Sequence, residues 1–197
     1  KKSGLPPGTL IHVGKKSEGI AKLSVIQFDK DSFHADLLKP LSTWSSDSVK
    51  DLQNCWVNVD ALHEVETIDE IGHHFNVDAL VLEDLLNTHH RPKVENWEDY
   101  LFITFNEQIS LVLGDKWLLS FQEKEGDLFN PLRERLKLKQ GQIRDKKVDY
   151  LFYRLIDVTV DNYFHVLGNV QHQVSLLEKK ILDSPKEGLL KQVQNLK

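Results

Sequence analysis

The stretch Leu80-Val81-Leu82-Glu83-Asp84-Leu85-Leu86-Asn87, running into His90-Arg91-Pro92-Lys93-Val94-Glu95, decides how the chain is read. At ~100° per residue on a helix, Val81, Leu82, Leu85 and Leu86 share a broad apolar face, and Glu83, Asp84 and Asn87 share the opposite one. The apolar face needs a core to cover it. Asp78, just upstream, is a candidate N-cap. Two adjacent carboxylates and an amide on the outer face are hard oxygen donors, the kind that Mg²⁺ and Ca²⁺ take. The same spacing also serves a plain solvated helix face.

Outward from this helix, residues 67–87 read as helical, with Thr67 and Glu70 in capping-box spacing and residues 72–78 dividing the stretch into two helices. Upstream, Gly4-Leu5-Pro6-Pro7-Gly8 reads as a turn. Residues 9–13, 21–28 and 55–59 read as strands, and the polar, mixed segment 29–48, with Pro40, as a short helix and loops. Downstream, 100–105, 108–113 and 117–122 are strand-like, and Gly114-Asp115-Lys116 is a hairpin turn between the last two. Asn130-Pro131 puts proline in the first turn of a helix, which Gly141 interrupts or ends. Residues 148–183 form one long helical pattern, Pro185 breaks it, and 188–197 resume it. Strands early and helices late predict an α/β or α+β domain followed by a helical arm.

Bulk properties bound the function. Of 197 residues, 40% are hydrophobic and 28% charged, a globular balance rather than a disordered one. The net charge of −5 weighs against nucleic acid as a partner. Cys55 stands alone, so no internal disulfide can form. No run approaches the ~18 apolar residues of a membrane helix, and the start lacks the layout of a signal peptide. The chain has no methionine, not even an initiator, which fits a piece of a longer protein or a sequence that omits some residues.

A second acidic pair, Asp157 and Asp161, lies four residues apart on one helix face, with His165 a turn further on and Arg154 three before Asp157. An Arg154–Asp157 ion pair with a solvated Asp161 is the plainer alternative. His73-His74 and His89-His90 are adjacent pairs that point apart on a helix. His63-Glu64 opens like a zinc-hydrolase motif, but Thr67 stands where the second histidine is required. His89, five residues after Asp84, joins the metal candidates. Gly14-Lys15-Lys16-Ser17 lacks the upstream glycine of a phosphate loop, with Thr9 in its place. The basic run Arg133, Arg135, Lys137, Lys139, Arg144, Lys146 and Lys147 has acidic neighbours and no interleaved aromatics, and reads as a solvated helix face near a membrane. No nucleophile–base pattern supports an enzyme.

Several ordered segments carry a resemblance: Gly4-Leu5-Pro6-Pro7-Gly8-Thr9, the Leu80 to Glu95 block, Phe121-Gln122-Glu123-Lys124, Gly126-Asp127, Pro131-Leu132-Arg133-Glu134-Arg135 and Asp149-Tyr150-Leu151. Together they resemble the CorA family of magnesium and cobalt transporters over nearly the whole chain. The resemblance implies an α/β/α sandwich with a central mixed sheet, then long antiparallel helices leading into a stalk helix. It implies a metal-sensing domain over 1–145 and a helical arm with the start of the stalk over 146–197. It also implies that the membrane helices and the Gly-Met-Asn pore signature lie beyond Lys197, as does an acidic stalk residue completing the metal site, and that the hairpin at Phe105-Asn106 is shorter than the family's.

In function, it implies the cytoplasmic regulatory domain of a homopentameric Mg²⁺/Co²⁺ transporter of the cell (inner) membrane. Divalent ions would bind between subunits at Glu83 and Asp84 and at Asp157, with Asp161 and His89 as further candidates. A zinc-transporting relative, taking Zn²⁺, and a soluble metal-dependent enzyme remain the alternatives.

Overall fold

The computed structural model describes residues 4, 6–13, 21–43, 45, 54–60, 62–87, 91–105, 109–123 and 128–183. The chain divides into two units, Lys1–Arg154 and Leu155–Lys197. Among the described residues, the first holds seven strands in one sheet: β1 (Lys22–Phe28), β2 (Phe33–Pro40), β3 (Asn54–Asp60), β4 (Lys93–Asn96), β5 (Leu101–Thr104), β6 (Ile109–Leu113) and β7 (Trp117–Gln122). Their order is β2-β1-β3-β7-β6-β5-β4. Among these strands, β3 and β7 pair in parallel; the other pairs are antiparallel.

The central strands are buried on both faces, as the unbroken burial of β3 requires. One face presents Val25, Val57, Val59, Leu119, Phe121, Val112 and Phe102 to the core that α1 (Val65–His74) and α2 (Ala79–Leu85) share. On the other, Trp56 packs edge-on to Phe129 at 6.2 Å, at the start of α3 (Asn130–Lys137). That face also carries polar side chains, all buried and mutually satisfied. The Trp56 indole N–H donates to Ser120 Oγ at 2.9 Å, and Ser120 donates to Asn58 at 2.6 Å. The Asn58 and Gln122 amides each donate to Asp60 Oδ1 at 2.8 Å. Buried polar groups linked this way avoid the desolvation cost of unpaired ones.

α4 (Val148–Asp183) begins in the first unit, where its first amide donates to Asn54 Oδ1 at 3.1 Å, and continues into the second. No described helix is long and apolar enough to cross a membrane.

Several expectations need correction. Residues 9–13 form no strand; Val13 makes a single bridge to Asn87. The segment read as helix and loops contains β2, an edge strand ending at Pro40. Charge and proline are usual at a sheet edge, where they discourage further pairing, and they blur its alternation. The other edge strand, β4, was not foreseen. Thr67 is no cap: α1 starts at Val65 with Glu64 before it and no side-chain cap. The division expected within 72–78 is present: the helical stretch breaks after His74, where Asn76 takes φ 54° and Val77 N–H returns to Gly72 O at 2.9 Å. The basic run is not one solvated face. Arg133 is buried over the Trp56 ring at 5.6 Å, and buried Arg144 donates to Asp29 O at 3.0 Å.

Gly72 stays inside α1 because α2 crosses there. An added Cβ would lie 2.3 Å from Leu82 Cδ1 and 3.1 Å from its Cγ, and Leu82 is fully enclosed. Gly72→Ala is therefore expected to destabilise the protein by about 1–3 kcal/mol through overpacking, read as a lower urea midpoint. An unchanged midpoint would mean that the α1–α2 contact gives way easily.

Candidate functional site

α2 presents the two carboxylates. Its N-terminus is fixed twice: Asp78 accepts the Leu80 N–H at 2.8 Å, and the Asp78 N–H donates to Tyr100 Oη at 3.0 Å. The cap satisfies an otherwise unpaired helix donor. Val81, Leu82, Leu85 and Leu86 are buried as their spacing predicts, which leaves Glu83, Asp84 and Asn87 half-buried on the other side.

Neither carboxylate is merely solvated. Glu83 Oε2 accepts the Gly8 N–H at 2.7 Å. It thereby clasps the N-terminal Pro-Pro-Gly turn to α2, next to the Val13 N–H bond to Leu86 O at 2.9 Å. Gly8 has φ +79°, and a Cβ there would meet Ala79 Cβ at 3.3 Å, so glycine suits both backbone and contact. Glu83→Ala is expected to speed amide exchange at Gly8 and to cost about 1 kcal/mol, the scale of a partly exposed hydrogen bond to a charged group. Unchanged exchange would show that the segment is held by other contacts.

Asp84 pairs with Lys93 of β4, whose Nζ also meets Glu95 Oε1 at 2.8 Å. Asp84 is 20% exposed, Lys93 27% and Glu95 37%, so the cluster sits at the rim of the fold with water within reach. Partial burial pushes the Lys93 ammonium down, but its hydrogen bonds to Asp84 and Glu95 more than offset this and hold its pKa above the usual lysine value. Lys93 does not stand out in the sequence as a partner of Asp84. Its one local signal is that Lys93 and Glu95 alternate onto the same side of a strand; its pairing with Asp84 is tertiary.

Asp157 and Asp161 lie on α4 within the second unit, Asp157 half-buried and Asp161 exposed. His89 falls outside the described residues, as do Gly14-Lys15-Lys16-Ser17 and the predicted helix 188–197. Among the described residues, no group of three or more His, Cys, Asp or Glu side chains is gathered as a metal centre. The candidate carboxylates thus stand in ones and twos. Cys55, a softer donor, is buried in the core, and burial pushes its thiol up to about 12.

Comparison with known proteins gives consistent relatives. The family model described as "CorA-like Mg2+ transporter protein" matches residues 51–197. The chain is 36% identical over 213 aligned residues to the cobalt/magnesium transport protein CorA of Thermotoga maritima, covering 100% of this chain and 59% of that one. The chain therefore spans less than two-thirds of that relative's length. Among solved structures, the soluble domain of CorA from Methanocaldococcus jannaschii superposes with a TM-score of 0.64 at 16% identity, over 87% of this chain and 69% of that one. The ZntB cytoplasmic domain from Vibrio parahaemolyticus gives a TM-score of 0.58 at 14% identity, over 81% and 65%. At such identities the structural likeness establishes the fold, a mixed sheet flanked by helices.

Proposed function

The chain belongs to the CorA-like Mg²⁺ transporter family, and from that premise we propose that it is the regulatory, cytoplasmic part of a Mg²⁺/Co²⁺ transporter of the cell membrane. The observation that carries this reading is the family match over residues 51–197, which contains both acidic pairs. Within this reading, residues 1–145 sense the ion and 146–197 form an arm toward a stalk and the membrane helices. The protein works as a homopentamer and performs transport rather than catalysis. Exposed apolar side chains on α4, with Phe164 at 68% and Leu167 at 61% exposure, are consistent with further helix packing in an assembly.

The mechanism is electrostatic. When internal Mg²⁺ is high, ions lie between carboxylates of neighbouring subunits, Glu83 and Asp84 on one side and Asp157 or Asp161 on the other, and hold the assembly closed. When Mg²⁺ falls, the bare carboxylates repel. Two unit charges about 4 Å apart repel by about 4 kcal/mol at an effective dielectric near 20. That is ample to bias an equilibrium between two states. Mg²⁺ and Co²⁺ are the cargo as well as the regulatory ligands.

A zinc-transporting relative is the second reading, favoured by the fold shared with the ZntB domain. Full-length protein in sealed vesicles tests both. Flux of Mg²⁺ or Co²⁺ down a gradient supports the first reading, flux of Zn²⁺ alone supports the second, and no flux of any of them removes both.

A further inference from the structure

We propose that Lys93 is a tethered cation that competes with the divalent ion for Asp84, and so sets the Mg²⁺ concentration at which the sensor responds. The inference rests on the proposed role of Asp84. Lys93 Nζ is in contact with Asp84 Oδ2 and 2.8 Å from Glu95 Oε1, and it lies 5.6 Å from the centre of the Phe102 ring. The ammonium thus occupies ground in front of Asp84 that a second cation would need. Two cations in contact with one carboxylate repel each other, so Mg²⁺ and Lys93 each weaken the other's hold there.

The geometry also supplies a way out for Lys93. It sits on β4, an edge strand, and shares a side of that strand with Glu95. A lysine ammonium is a point charge on a flexible stem. It can release Asp84 to an arriving ion and remain paired with Glu95, without any backbone change. Mg²⁺ binding then becomes an exchange of one cation for another, and the exchange raises the concentration needed. A bare pair of carboxylates would be filled at lower Mg²⁺.

The test uses purified full-length protein and the unfolding midpoint as MgCl₂ is raised, for wild type, Asp84→Asn, Lys93→Gln, Lys93→Met and Lys93→Arg. The neutral variants are expected to melt lower without Mg²⁺, because Asp84 and Glu95 then lose their shared cation. They are expected to reach half of the Mg²⁺ response at a concentration lower by up to about fivefold, the order of magnitude of losing a partly exposed ion pair. Lys93→Arg keeps the charge and stays near wild type. If wild type responds and Asp84→Asn does not, yet the neutral variants need as much Mg²⁺ as wild type or more, Lys93 does not compete and this inference alone falls. Neutral variants that do not fold even in saturating MgCl₂ would assign Lys93 a purely structural role and overturn it equally. If Asp84→Asn responds like wild type, the proposed role of Asp84 fails, and the inference with it.

Discussion

Replacing Trp56 by alanine is expected to destabilise the protein by about 3–5 kcal/mol, the range for deleting a large buried aromatic. Trp56 is fully buried in the middle of the sheet. Its ring meets Phe129 edge-on at 6.2 Å and lies under the Arg133 guanidinium at 5.6 Å. Its indole N–H is the first link of the buried chain through Ser120 to Asn58 and Asp60. Truncation would therefore open a cavity, strip a cation of its aromatic neighbour and remove a donor from a buried network. Domains are stable by only about 5–15 kcal/mol, so a large share of the total is at stake. Trp56→Phe keeps most of the volume and should lose only about 1 kcal/mol for the hydrogen bond. Urea unfolding of the two variants separates packing from hydrogen bonding. Equal losses would mean that the network, rather than the ring, holds this face.

Asp84→Asn is expected to remove most of the Mg²⁺-dependent stabilisation of the full-length protein. An ion present at ~100 times its Kd contributes about 2.7 kcal/mol to the state that binds it. For a domain of this size that raises the unfolding temperature by roughly 5–10 °C. Asparagine retains the shape of aspartate but not the charge that draws a divalent ion. Without Mg²⁺ the same variant should lose about 1 kcal/mol or less, because the Lys93 pair is part-exposed and Glu95 still holds the ammonium. Asp157→Asn should reduce the response in the same direction, since an ion held between subunits, as proposed, would need both sides. A full response in both variants would place the ion elsewhere.

The central strands and α2 were legible because burial dictates their sequence. β3 and β7 lie under helices on both faces, and α2 turns one apolar stripe inward, so the periodicity survives in the residues. The Asp78 cap was legible for a local reason, a side chain answering an amide two residues on. The edge strands were not. β2 and β4 need no continuous apolar face, and Val94 is 64% exposed, so their residues resemble loop. The carboxylates of the candidate site stood out as hard donors on a polar face. Their partners did not: Gly8 reaches Glu83 across 75 residues, and Lys93 reaches Asp84 only because β4 folds back beside α2. Likewise Arg133 and Arg144 looked solvated in the sequence, because nothing local reveals that Trp56 and Phe33 lie over them.

The most direct measurement is cation flux through the full-length protein in vesicles, at a series of fixed internal Mg²⁺ concentrations, for wild type and for Asp84→Asn combined with Asp157→Asn. Internal Mg²⁺ is expected to shut off wild-type flux, and the double variant to keep conducting at concentrations at least about tenfold higher, as befits the loss of more than about 1.4 kcal/mol of ion binding. Inhibition of both proteins at the same internal Mg²⁺ would contradict it.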